Sequence, residues 1–169
     1  NSGTMVREKT KMEKMLISGV AADKNVAKIR VAGLGNDPES TFRLLNLLDR
    51  NNLNIDVMIQ SLGKDGTKSV SFTVAKPDML RTIDVLNDNK DLLGIKKLDY
   101  DENVAKISVI GAGVRSHSGV AAKMFGALAN AGINTEMVTT SEIRITALID
   151  EAYADQAMRA IHETFLERV

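Results

Sequence analysis

The sequence predicts an α+β protein made of two copies of a β-α-β-β-α-β unit, the first copy inserted into the second. Three observations predict it. The first is a repeat. Residues 25–35 read NVAKIRVAGLG and residues 103–113 read NVAKISVIGAG, eight of eleven positions identical at an offset of 78. A self-match that dense marks a duplicated unit. The second is the order of signals after each copy, a helix and then a related segment: LNIDVMIQS from Leu53 and INTEMVTTS from Ile133, at an offset of 80. The third is strand arithmetic. The second copy ends after its second helix, one strand short, and one N-terminal strand is left over. An open sheet edge is a liability, so residues 15–21 are expected in the vacant slot.

Taken in order, residues 1–14 are polar and charged without periodicity, which fits a tail or linker. Residues 15–21, MLISGVA, form a short apolar strand. Residues 25–32 form a second, with β-branched Val26, Ile29 and Val31. Gly33 to Asp37 is a loop. Asp37-Pro38-Glu39 is a helix start, with Asp as N-cap, Pro in the first turn and Glu suited to the helix dipole. That helix runs to Arg50, with Leu44, Leu45, Leu47 and Leu48 on its apolar side. Residues 53–60 alternate: Leu53, Ile55, Val57 and Ile59 on one face, Asn54, Asp56, Met58 and Gln60 on the other. Lys64-Asp65-Gly66-Thr67 carries the Asp-Gly hairpin signal. Val70, Phe72 and Val74 then alternate with small polar residues. Pro77 opens a second helix through Leu80, Ile83 and Leu86, and residues 94–100 make a last strand. This is the ferredoxin-like order.

The second copy repeats it with strand 103–110, helix 118–131, strands 133–139 and 142–149, and helix 151–166. Ala154, Ala157, Met158, Ile161 and Phe165 stripe the last helix. The expected domains are therefore 25–100 and the discontinuous 15–24 with 101–169.

Lys plus Arg equals Asp plus Glu at 22 each, and aromatics are only 4%. That balance gives no support for a nucleic-acid partner, which wants a basic field and stacking rings. No apolar run is long enough to span a membrane, and residues 1–14 lack a signal-peptide core. No membrane partner and a cytoplasmic location are expected. Zero cysteines exclude disulfides, thiolate zinc sites and cysteine nucleophiles.

Gly33-Leu34-Gly35 and Gly111-Ala112-Gly113 invite a dinucleotide reading, but Pro38 and Ser116 stand where the third glycine of G-x-G-x-x-G belongs. Nor is there a phosphate loop. His117 and His162 are the only histidines and lack triad or metal-spaced partners. No catalytic residue, metal site or cofactor is expected in this chain. What remains is a repeated polar set. In the first copy it comprises Asn36, Asp37, Glu39, Ser40 and Thr41 at the helix start, with Asn54, Asp56 and Gln60 on the neighbouring strand. In the second it comprises Ser116, Ser118 and Gly119, then Asn134, Glu136, Thr140 and Ser141. An α-amino acid suits such a place: its carboxylate can take free amides at a helix start, and its ammonium can take carbonyls or a carboxylate. A solvated loop and a wet strand face fit the same residues.

At these residues the sequence resembles the regulatory, C-terminal part of bacterial aspartokinases, which is built of two ACT domains. The carrying motifs are ISGVAADKNVAKI (17–29), NLNIDVMIQ (52–60), DGTKSVSFTV (65–74) and, most specifically, VRSHSGVAAKMFGALANAGINTEMVTTSEIRITALID (114–150). SGTMVRE (2–8) resembles the end of the kinase domain, and the chain resembles either an excised regulatory region or a separate regulatory subunit. The resemblance implies a feedback amino acid, lysine or threonine or both, bound at interfaces between ACT units; a homodimer through those units; and a catalytic kinase domain or subunit as partner. ATP and Mg would belong to that kinase part alone. Carried over by position, the first effector site uses Asn36, Asp37, Pro38, Glu39, Ser40, Thr41, Asp56 and Gln60. Its partner segment is Asn134, Thr135 and Glu136 with Thr140 and Ser141. The second unit's loop keeps Gly119, Val120 and Ala121, with Ser118 where the family has Pro, and Gly119 is expected to need a bare backbone. The family's first loop reads D-x-P-G; here Asn36 replaces the Asp and Glu39 the Gly. Glu39 thereby favours lysine, with threonine open. The rival expectation is a ligand-free pairing module that only holds a kinase dimer together.

Overall fold

The computed structural model describes residues 17–114 and 118–165. The expected tail, Met15, Leu16 and the loop residues Ser116 and His117 lie outside the described residues. The chain divides into two compact units. One is Asn25–Asn103; the other joins the segment up to Lys24 to the segment from Val104.

In the unit of residues 25–103, β1 (Gly19–Leu34), β3 (Lys68–Ala75) and β2 (Met58–Leu62) pair antiparallel in the order β1-β3-β2. Helices α1 (Pro38–Arg50) and α2 (Met79–Asp88) supply Leu44, Leu48 and Leu86 to one core with Ile29, Val31, Val70 and Phe72. All seven are at most 1% exposed. Each such side chain contributes about 1.5–3 kcal/mol by leaving water. A short α3 (Lys90–Leu93) ends at Gly94, whose φ of 74° makes it a left-handed helix cap. The sequence predicts a strand from Gly94. The strand begins at Lys97 instead, because the glycine is used to stop the helix.

That strand, β4 (Lys97–Ile110), is continuous, as is β1, although the sequence reading placed two strands in each. Ala22-Asp23-Lys24 and Asp101-Glu102 contain neither Gly nor Pro to turn the chain. The division between units falls inside both strands, at Lys24/Asn25 and Asn103/Val104.

In the other unit β4 pairs antiparallel with β6 (Arg144–Asp150), and β6 with β5 (Met137–Thr140). Helices α4 (Ser118–Asn130) and α5 (Ala154–Phe165) pack Met124, Leu128 and Ile161 against Ile107, Val109 and Ile145. The N-terminal segment joins this unit. Ile17 is buried in its core, the Ser18 amide donates to the Ile110 carbonyl at 2.7 Å, and Lys24 reaches Asp155 at 3.4 Å. The fold is α+β, two ferredoxin-like units, the first inserted into the second. Among the described residues no helix is long and apolar enough to cross a membrane.

The predicted strand 53–60 needs a correction that matters for the site. The ladder starts only at Met58. Before it, the Asp56 amide donates to the Thr73 carbonyl, the Thr73 amide donates to the Val57 carbonyl, and the Val57 amide donates to Thr73 Oγ1. Two residues thus face one, a bulge arrangement that shifts the alternation by one. Leu53 and Ile55 pack on the core before it, but Met58 does so after it. Met58 pairs with Phe72 and Gln60 with Val70, so Met58 and Gln60 share the helix-side face and Ile59 takes the other. The predicted 133–139 strand also starts late, at Met137, the first residue in register with β6.

Candidate functional site

The first-copy residues gather around the start of α1. Asp37 caps the helix: its Oδ1 accepts from the Glu39 amide at 3.0 Å and the Ser40 amide at 2.9 Å. Ser40 is buried, and its hydroxyl donates to the Gly35 carbonyl at 2.6 Å. Thr41 Oγ1 donates to Gln60 Oε1 on β2. The bulge turns Gln60 to this face and makes that bond possible. Lys68, absent from the sequence reading, donates from Nζ to the Asp37 carbonyl at 2.9 Å and ties β3 to the loop. A lysine beside the strand turn carried no sequence signal of its own; only the β1–β3 register, Leu34 opposite Lys68, brings it here.

Three placements bear on the expected ligand contacts. Asp37 is the N-cap that the sequence predicts, and its carboxylate takes the Glu39 and Ser40 amides that the amino-acid reading would offer to a ligand. Glu39, expected to meet a cationic ligand, is paired to Arg43 one turn on at 2.6 Å. That i,i+4 geometry is ordinary helix-surface chemistry. Asp56, expected on the same strand face as Gln60, sits at the bulge ahead of β2, with the one-residue shift of alternation between the two.

The second-copy residues divide. Val120 is 1% exposed in the core and Ala121 packs against the same core, so their side chains support the helix rather than face a ligand. A Cβ on Gly119 would meet nothing within 4 Å, so this chain gives no steric need for a bare backbone there. Asn134 and Glu136 are exposed, and the Glu136 amide donates to Leu148 at 2.8 Å. Thr135 is half-buried. Thr140 ends β5, opposite Ile145, and the Ser141 amide closes the turn onto the Arg144 carbonyl at 2.8 Å. Of Ser118 only the backbone, at the first position of α4, is described. His162 is exposed on α5. Among the described residues no cluster could hold a metal ion.

The profile of the ACT domain matches residues 107–165. The solved structure of aspartokinase alpha and beta subunits aligns with a TM-score of 0.82 and 41% identity, covering 88% of this chain and 98% of that one. The regulatory subunit of aspartate kinase from Thermus thermophilus, in its ligand-free form, aligns with a TM-score of 0.84 and 32% identity, covering 89% and 99%. The chain belongs to the aspartokinase family and matches its regulatory region. Aspartokinase of Pseudomonas aeruginosa is 36% identical over 166 residues, 96% of this chain and 40% of the relative. The chain therefore spans about 40% of the length of the curated aspartokinases it matches.

Proposed function

We propose that this chain is the amino-acid-sensing part of an aspartate kinase. It takes a feedback amino acid, lysine or threonine, at an interface made by its ACT units, and so controls phosphoryl transfer from ATP to aspartate by a kinase domain or subunit. The kinase works in the cytoplasm. The observation that carries the reading is the Thr41–Gln60 pair at the start of α1, on a strand bonded on one side only within its unit. Two neutral polar side chains there can trade their mutual bond for bonds to a ligand's carboxylate and ammonium. Phe42 and Leu62, 65% and 62% exposed on the same helix and strand, supply apolar surface for a second copy of the chain. An effector can act only through a difference in affinity between two arrangements of the units, and a coupling of about 1–3 kcal/mol is typical.

A second reading has its own observation. Asp37 already fills the helix-start amides, as it would in a module that pairs kinase subunits without a ligand. A thermal melt against millimolar lysine, threonine, methionine and buffer separates the two. A ligand of the folded form at 100 times its dissociation constant adds about 2.7 kcal/mol. A rise with lysine or threonine alone supports the sensor; no shift with any of them supports the pairing module.

A further inference from the structure

On the face of its sheet away from the helices, the unit of residues 25–103 holds an open cleft of about 510 Å³. Arg30 and Ala32 of β1 lie on this face because Ile29 and Val31 between them are in the core. Three cations from three separate segments line the cleft: Arg30 from β1, Lys64 from the β2–β3 hairpin and Lys96 from just before β4. Asp65 is the one anion in the lining, and Asp99 is paired to Arg30 from outside it, which leaves the cleft net positive in a chain that is neutral overall.

The cleft is built by backbone features rather than left by chance. Gly33 is the bulged residue of β1, with φ 85°. A Cβ there would lie 2.5 Å from Lys96 Cβ, so the lysine stem passes directly over the glycine, and the Lys96 amide donates to the Ala32 carbonyl at 2.9 Å. The hairpin is closed by the Gly63 amide on the Thr67 carbonyl at 2.8 Å. Asp65 is turned into that hairpin, accepting from the Thr67 amide at 3.0 Å and hydroxyl at 2.7 Å. Arg30 rests against Asp99 at 3.5 Å, both half exposed.

The duplication shows that folding does not require these charges. In the other unit the Ser18 amide makes the bond to Ile110 that Lys96 makes to Ala32. The repeat puts Ser108 at the place of Arg30, where it is buried and bonded to Thr146 at 2.9 Å. The same backbone is thus built twice, and at the places of Lys96 and Arg30 the other unit has Ser18 and Ser108.

We propose that this cleft binds a small, multiply charged oxyanion of the phosphate or phosphate-ester class. The planar fork of an arginine and two ammonium groups suit the several oxygens of such a group, and the volume lies in the range of small-ligand sites. The site is distinct from the effector residues around Thr41, and neither reading depends on the other.

The test is an NMR titration of the whole chain with inorganic pyrophosphate at constant ionic strength, against sodium chloride. Saturable shifts at the amides of Gly33, Gly63, Thr67 and Lys96 are expected. In Lys64→Ser/Lys96→Ser the affinity should fall about tenfold or more, with the rest of the spectrum unchanged. Lys96→Ser copies the residue of the other unit, and Lys64→Ser alone alters only the hairpin. Shifts that do not saturate, or that survive the double substitution, overturn the proposal. So does saturation by a polyglutamate peptide with none by pyrophosphate, which would make the cleft a protein-docking surface.

Discussion

In the inserted unit Arg30 lies half exposed beside Asp99; at the same step of the repeat in the other unit, Ser108 is buried against Thr146. The two strands share the five residues NVAKI, at 25–29 and 103–107, and carry the same core positions inward. Their hairpins differ as well. Five residues from Gly63 to Thr67 form a capped loop in one, whereas Ser141 closes directly onto Arg144 in the other. A duplicated backbone plan is thus held by its inward residues, while outward residues and turns are free to diverge. Chemistry particular to one copy should be sought in that divergence, as the cationic cleft illustrates.

The largest expected effect tests the shared part. Phe72→Ala removes a fully buried ring from the core of the inserted unit and should cost about 3–5 kcal/mol in urea unfolding. A loss below about 1 kcal/mol would contradict the packing described. Next comes a contrast between glycines. Gly33→Ala places a Cβ against Lys96 in a left-handed conformation, worth about 1–2 kcal/mol from backbone strain alone and more from the contact. Gly119→Ala meets open space and should be neutral or gain up to about 1 kcal/mol from lower chain entropy. Equal effects would break the contrast. Asp37→Ala should cost about 1 kcal/mol by uncapping α1, with helix fraying visible in the amide exchange of Glu39 and Ser40.

The smallest effect is at Asp65, whose carboxyl is held below its usual 3.8 chiefly by the Thr67 amide and hydroxyl, with Lys96 adding attraction. A depressed pKa stabilises the fold above the unfolded value, and that contribution disappears as pH falls through the folded one. Asp65→Asn should therefore melt slightly earlier at neutral pH, and the gap to the parent chain should close in acid below 3.8.

Much of the fold is legible in the sequence. The NVAKI repeat, the Asp37-Pro38-Glu39 helix start and the leftover N-terminal strand lead to the order and the insertion. Periodicity cannot show the bulge at Asp56-Val57, because an extra residue in a strand leaves each short run alternating as before. That one residue moves Gln60 to the helix side and separates it from Asp56. The site was legible as a set of polar residues but not as contacts. The Asp37 cap is legible in Asp37-Pro38-Glu39, but whether Glu39 turns to Arg43 or outward depends on a side-chain direction that spacing alone does not fix. Val120 and Ala121 follow the family's loop motif into the expected site, yet the Val120 side chain is buried in the core and that of Ala121 packs against it.

The most direct measurement maps the effector onto the two units. The chain, labelled for NMR, is titrated with lysine and with threonine. The account predicts saturable shifts at Thr41 and Gln60 with one of them, reduced about threefold to tenfold in affinity by Gln60→Ala. Saturable binding of either amino acid that leaves Thr41 and Gln60 unmoved, or that Gln60→Ala does not weaken, would contradict it.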